Sequence, residues 1–556
     1  MSTKNKTNLI LLAILILGSV LRFSFLTYNP PSLNWDEVSH GYNAYSILKT
    51  GKDEWGKNFP ISNFRTYGDY PLPLNLYATI PFIKLLGLNT PAVRFPHALA
   101  GSLTILAVYF LVLGVSKNKN LALLSGFLTA VSPWYLFTSR YVVQANWSIF
   151  LLISALAAFF HRDKHRHLLS LSVFLFFLSL FAYHTTRIFS PIILAALLFL
   201  FRKEIVAGIK AKKAVYLVFT SLAAVFYIVF AILLANPESQ ARSKFVFLIN
   251  DGMVARIIEA RNVSKFSPWT TRLIHNRVTY FTTDFIKNYI GYFSPKYLFT
   301  TGGTQYQFSV PGWGLYYLVC LPFFYLGLWE IIKKAKLGGI NERFLLGWLI
   351  LAPIPASLTT EKFAVLRSST MLPLPEILIG MGLFKFINVL KLKKQFAIGI
   401  FIAIVVMSLT FYLNKYFTGY RKDYSWSWQY GYKEAIAYAK QNYAKYDKII
   451  ITKKYGEPHE FLLFFWPWDP EKYRSDPNLI RFYQSNWYWV DRFDKFYFVN
   501  DWQVKEMVLE SGGKISCEAK NCLLITSPGN YPSGWHKIET INFLDGKPAF
   551  EIYENQ

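Results

Sequence analysis

Apolar residues along this chain gather into long runs separated by short polar stretches. A helix needs about 20 mostly apolar residues to cross a bilayer. Eleven runs read as candidate spans: 8–27, 92–114, 121–138, 147–160, 168–184, 188–201, 214–235, 313–332, 344–358, 369–387 and 396–413. Basic residues cluster in alternate connections. Lys117 and Lys119, then Arg162, Lys164 and Arg166, then Arg202, Lys203, Lys210, Lys212 and Lys213 fall on one side, followed there by Lys333, Lys334, Lys336 and Arg343, then Lys385, Lys391, Lys393 and Lys394. The short connections on the other side hold little more than Arg140, Arg187, Lys362 and Arg367. Lys and Arg enrichment marks cytoplasmic loops, so the N-terminus is expected inside and the C-terminus outside the plasma membrane. The first run follows Lys4 and Lys6, continues from Leu9 to Leu21 and meets Arg22 without a small-residue cleavage site. It reads as a retained anchor rather than a signal peptide.

Three long segments then lie outside: 28–91, 236–312 and 414–556. The pattern predicts a membrane domain over 1–413 and a soluble extracytoplasmic domain over 414–556. Within the latter, Lys448–Thr452 (KIIIT) and Phe496–Val499 read as strands and Glu434–Asn442 as a helix, so α/β is expected. Composition agrees with membrane residence: hydrophobic residues are 53% and charged residues 17%, against about 25% charged in soluble proteins. The net charge of +26 sits largely between apolar runs, which points to a bilayer and not to nucleic acid. Three cysteines exclude a disulfide scaffold or a multi-cysteine metal cluster. Cys517 and Cys522 flank a short turn and fit either a local disulfide or two thiols; Cys320 reads as a buried apolar group. Charges in the spans (Arg22, Arg94, Arg140, Arg187, Glu330, Arg367) lie near span ends, with Glu376 the exception, which argues against a transporter.

The candidate chemistry lies in the first outer segment, Asn34-Trp35-Asp36-Glu37-Val38-Ser39-His40-Gly41-Tyr42-Asn43-Ala44-Tyr45. Val38, Tyr42, Tyr45 and Leu48 recur at helical spacing, with Gly51 as a stop. Asn34 and Glu37 have the spacing of a capping box, which gives Glu37 a structural reading beside any catalytic one. Asp36 in the first turn is favoured by the helix dipole. Asp53-Glu54 reads as a solvated turn, and Asp69 before Pro71 as either a turn or a functional acid.

An acidic pair in this setting after the first span, followed by Gly68-Asp69-Tyr70-Pro71-Leu72-Pro73-Leu74, Ala92-Val93-Arg94-Phe95-Pro96, Ser139-Arg140, Gln144-Ala145-Asn146, Phe293-Ser294-Pro295 and Leu366-Arg367-Ser368, resembles the GT-C class of membrane glycosyltransferases. Within that class it is most similar to glycosyltransferase family 39, the protein O-mannosyltransferases and aminoarabinose transferases. The resemblance covers about residues 5–415. It implies a GT-C-like fold of about 11 transmembrane helices with the α/β domain appended. It further implies a glycosyltransferase, hexosyl or pentosyl, that takes sugar from a polyprenyl phosphate. The acceptor is then a hydroxyl of a protein, lipid or glycan at the outer face, with inversion. On that reading Asp36 is the general base and Glu37 orients the acceptor or holds a cation. Arg367, then Arg140 and Arg187, grip the donor phosphate, although each arginine also fits a headgroup anchor. Asp69, His40, Tyr42, Gln144 and Asn146 are substrate-binding candidates.

The chain departs from the family pattern at Gln144 and Asn146, where many relatives are acidic, at Tyr70, where many have Lys, and at Ala364, where His is common. No cofactor is required, and a divalent metal is left open, with His40 and His184 the weak ligands on offer. A lipid-linked oligosaccharide transferase or ligase is the alternative enzyme; Trp466-Pro467-Trp468-Asp469 is near the signature of oligosaccharyltransferases but for Pro467. A lipid flippase or assembly subunit is the non-enzymatic alternative. The sugar and the acceptor stay open.

Overall fold

The computed structural model describes residues 3–68, 70–162, 165–211, 213–235, 246–484 and 487–555. The chain forms two compact units: Met1–Arg22, Leu99–Ser139 and Val143–Leu413 in the first, and Phe23–Ala98, Arg140–Val142 and Asn414–Gln556 in the second.

The first unit is helical. Each of the eleven apolar runs overlaps helical structure. Among the described residues, four helices are long and apolar enough to cross a membrane: Asn5–Phe23, Thr90–Ser116, Ala214–Ala235 and Lys394–Asp423. Shorter apolar helices include Lys119–Val131, Gln144–Phe160, His167–Ser179 and His184–Leu200. The helices Leu321–Lys336 and Leu374–Val389 touch backbone to backbone because Gly327 faces Leu378 and Gly382 faces Phe323 with no Cβ between them. Arg22, fully buried, donates to the carbonyls of Gly18 and Ala130 at 3.0 Å and of Thr129 at 2.9 Å. A buried guanidinium is tolerated there because backbone oxygens replace its water. Cys320 is buried, as expected.

The second unit is built on a seven-stranded sheet: β1 (Lys448–Thr452), β2 (Ile480–Gln484), β3 (Trp487–Phe493), β4 (Phe496–Val499), β5 (Cys522–Thr526), β6 (Trp535–Asn542) and β7 (Pro548–Asn555). The strand order is β2-β3-β4-β1-β5-β7-β6, with β1 parallel to β4 and β5 and the remaining pairs antiparallel. The two strands and the helix read from sequence are all present, the helix as Tyr432–Gln441. Central strands covered on both faces are continuously apolar. Ile449, Ile451, Phe496, Phe498, Leu523 and Ile525 face one core, while Ile450, Tyr497, Val499 and Leu524 face the other. The first core also takes Leu33, Val38 and Tyr42 from around the helix Trp35–Thr50, and Phe461, Leu462 and Phe464 from the helix Pro458–Phe465. A Cβ at Gly41 would stand 2.5 Å from the Phe464 ring, so only glycine lets these two helices approach as they do. Cys517 and Cys522 form a disulfide.

Candidate functional site

The helix Trp35–Thr50 begins as the local sequence dictates. Asn34 is the N-cap, and its side chain accepts from the Glu37 amide at 2.9 Å; the Glu37 carboxylate accepts in return from the Asn34 amide at 3.2 Å. Gly51, in the left-handed region at φ 71°, closes the helix.

The two acids then separate by environment. Glu37 is fully buried and grips Arg94 in a bidentate pair, Arg94 Nε donating to Oε1 at 2.9 Å and Nη2 to Oε2 at 2.8 Å. The Val142 amide donates to Oε1 at 3.2 Å. Arg94 spends its other donors on the carbonyls of Leu26 (2.6 Å), Pro30 (2.9 Å) and Ser32 (2.5 Å). Glu37 and Arg94 thus tie the loop 26–34 to the helix, and every N–H of the guanidinium has an acceptor. Asp36, one residue earlier, is exposed. The Tyr67 hydroxyl donates to its Oδ1. Tyr67 is itself held edge-on by Trp35 and against Trp487, with centroids 6.4 and 5.2 Å away. The carboxylate is therefore oriented, solvent-exposed and near a helix N-terminus that favours negative charge.

The remaining candidates divide by unit. In the second unit, Arg140 is buried, donating from Nη2 to the carbonyls of Ser24 (2.8 Å) and Asn29 (3.0 Å) and from Nε to the Tyr416 hydroxyl at 3.3 Å, with its guanidinium over the Tyr416 and Phe417 rings. His40 is buried against the edge of Phe64. Tyr42 is fully buried and donates to the Trp468 carbonyl at 3.2 Å; burial, then the neighbouring Tyr473 and Glu54, push its phenol well above the usual range. Both side chains are core members of this fold. Asp69 lies outside the described residues. In the first unit, Arg187 is buried with Nε on the Leu180 carbonyl at 2.9 Å, and Arg367 pairs with Glu361 at a half-buried position. Asn146 is buried and donates to the Thr138 carbonyl at 2.9 Å, while Gln144, also in this unit, is half-buried at the start of the helix Gln144–Phe160.

Asp53 and Glu54 do not form a solvated turn: both are buried, Asp53 accepting from the Trp55 and Lys57 amides and Glu54 bonded to Asn43 by its amide (3.0 Å) and its carboxylate (3.2 Å). Among the described residues, the acids and histidines close enough to share a metal ion are Glu54, His459 and Glu460, whose ligand atoms lie within 4.8 Å of one another. The Trp468-Asp469 pair has a structural task, since Asp469 caps the helix Pro470–Arg474 through the amides of Glu471 and Lys472. Tyr67, the partner of Asp36, carried no local signal; Arg94 stood out as a charge at a span end and within the Ala92-Val93-Arg94-Phe95-Pro96 motif, but nothing local tied it to Glu37.

Residues 12–237 match the family model of dolichyl-phosphate-mannose-protein mannosyltransferase. No curated protein matches the sequence. Among solved structures, the chain is similar to the apo oligosaccharyltransferase of Archaeoglobus fulgidus, at 14% identity over 83% of this chain and 64% of that one, TM-score 0.49. It is also similar to ArnT from Cupriavidus metallidurans bound to undecaprenyl phosphate, at 10% identity over 100% and 99% of the two chains, TM-score 0.49. The Pmt1-Pmt2 protein O-mannosyltransferase complex of S. cerevisiae bound to its sugar donor gives 18% identity over 48% and 38%, TM-score 0.32. The chain thus spans 64% of the length of the archaeal oligosaccharyltransferase. The resemblance to GT-C membrane glycosyltransferases, and to family 39 among them, stands on the family match.

Proposed function

We propose that this protein transfers a sugar from a polyprenyl-phosphate donor to an acceptor hydroxyl at the outer face of the membrane. About eleven helices cross the bilayer in this reading, with the N-terminus cytoplasmic and the C-terminal sheet outside. The basic inner loops support that orientation, as does the Cys517–Cys522 disulfide, a bond suited to an oxidising exterior.

The observation that carries the reading is the division of labour in the acidic pair. Glu37, saturated by four donors, has no lone pair to spare for a proton. Asp36 is exposed at the first turn of the helix and oriented by Tyr67, where an acceptor hydroxyl can approach it from solvent. Asp36 takes the acceptor proton as the hydroxyl attacks the anomeric carbon from the face opposite the phosphate, which inverts the configuration. The C–O bond to phosphate breaks, and the polyprenyl phosphate leaves with the electron pair. Such a base contributes about 10²–10⁴-fold. A guanidinium grips the departing phosphate bidentately. Arg367 is assigned that task first, because its partner is a side-chain carboxylate at a half-buried site, whereas Arg140 and Arg187 are buried on backbone carbonyls.

The test supplies proteoliposomes with a labelled polyprenyl-phosphate sugar and an extract of envelope acceptors. Labelled product with inverted anomeric configuration is expected. Binding of the lipid without any transfer would favour a flippase or assembly subunit and refute the proposal.

A further inference from the structure

The second unit buries more negative charge than its hydrogen bonds account for. Glu54, Glu457, His459 and Glu460 are all buried, with Glu460 fully enclosed. Neither Glu460 oxygen has a hydrogen-bond donor in normal geometry, and its polar neighbours are Ser39 and Glu54. An ionised carboxylate enclosed this way is costly unless a cation meets it. Lys453 does not serve, because it is paired with Asp491. Arg481 donates to the Glu54 carbonyl at 3.4 Å and lies over the Trp55 ring, so it shields one side of the cluster only.

The geometry of the histidine points the same way. His459 presents Nε2 to Glu460 at 3.8 Å and Nδ1 to Glu457 at 3.5 Å, and Glu457 is anchored in turn by the Trp487 indole N–H. A carboxylate on one ring nitrogen with the other turned toward further donors is how proteins orient a metal-bound imidazole. We infer that Glu54, His459 and Glu460 bind one divalent transition cation of the zinc class, with Glu457 fixing the histidine. One imidazole and two carboxylates suit zinc or manganese over magnesium or calcium, which favour all-oxygen shells. The ion links the turn after the helix Trp35–Thr50 to the helix Pro458–Phe465, and so braces the element that carries Asp36.

The test is independent of sugar transfer. Untagged full-length protein is stripped with a chelator, then titrated with Zn²⁺ while bound metal and melting temperature are recorded. About one ion per chain is expected, with a melting rise of about 2–5 °C. The isosteric variants Glu54→Gln and Glu460→Gln should lose both ion and response, and His459→Ala the ion. Substoichiometric metal with a melting temperature indifferent to chelator and Zn²⁺ overturns the inference. So does an E460Q protein that matches or exceeds the zinc-loaded wild type in stability, which would mean that Glu54 and Glu460 share a proton instead.

Discussion

Replacing Arg94 with methionine removes a guanidinium whose five N–H groups all have acceptors. The side chain that remains fills similar space but leaves the buried Glu37 carboxylate with only the Asn34 and Val142 amides, and leaves three carbonyls without their donor. Breaking a buried pair by removing one partner costs about 3–5 kcal/mol, because the surviving charge stays desolvated. In a folding unit of about 150–250 residues each kcal/mol moves the melting temperature by about 2–4 °C, so R94M should lower it by roughly 6–20 °C. Neutralising the survivor should recover part of the loss, so the E37Q/R94M double variant should melt above R94M alone, with a coupling of about 1–3 kcal/mol. D36N sits one residue away on the exposed side of the same helix turn and should cost at most about 1 kcal/mol. The assay is thermal unfolding of purified protein in one detergent across these variants. Equal losses for D36N and R94M, or strict additivity of E37Q and R94M, would refute the view that only Glu37 is a structural lock.

Valine at Gly41 must intrude on the Phe464 ring and should destabilise by about 1–3 kcal/mol, read in the same assay. Burial opposes ionisation of Asp501, yet hydrogen bonds from Ser527, Lys454 and Thr452 hold its carboxyl below the usual range. A depressed pKa gives stability that is present above the unfolded value of about 3.9 and lost as pH falls through the folded one. D501N should therefore cost about 1 kcal/mol near neutral pH and less near pH 3; a penalty that does not change with pH would contradict this. Arg367→Ala should raise the donor KM while leaving folding intact, whereas unchanged donor affinity would leave Arg367 with Glu361 pairing as its whole role.

What the sequence disclosed was local or periodic. The capping box joins residues three apart, and the strands KIIIT and FYFV announce themselves as short apolar runs because both sheet faces are covered. What it concealed was carried by long-range pairing. Arg94 meets Glu37 across 57 positions, and Arg140 reaches Tyr416 across 276. Asp53-Glu54 has the composition of a surface turn, and only the arrival of His459 and Glu460, some four hundred residues later, makes Glu54 an interior group. The same applies to Tyr42: its helical spacing was visible, but its place in the core beneath Phe461 and Phe464 depended on the C-terminal sheet.

The central claim is that the exposed acid at position 36 accepts the proton of the attacking hydroxyl. Its most direct measurement is the single-turnover rate of sugar transfer by Asp36→Asn in proteoliposomes saturated with labelled donor, with wild type alongside at matched folded protein. The account predicts a fall of about 10²–10⁴-fold with donor binding retained. Transfer at the wild-type rate would contradict it.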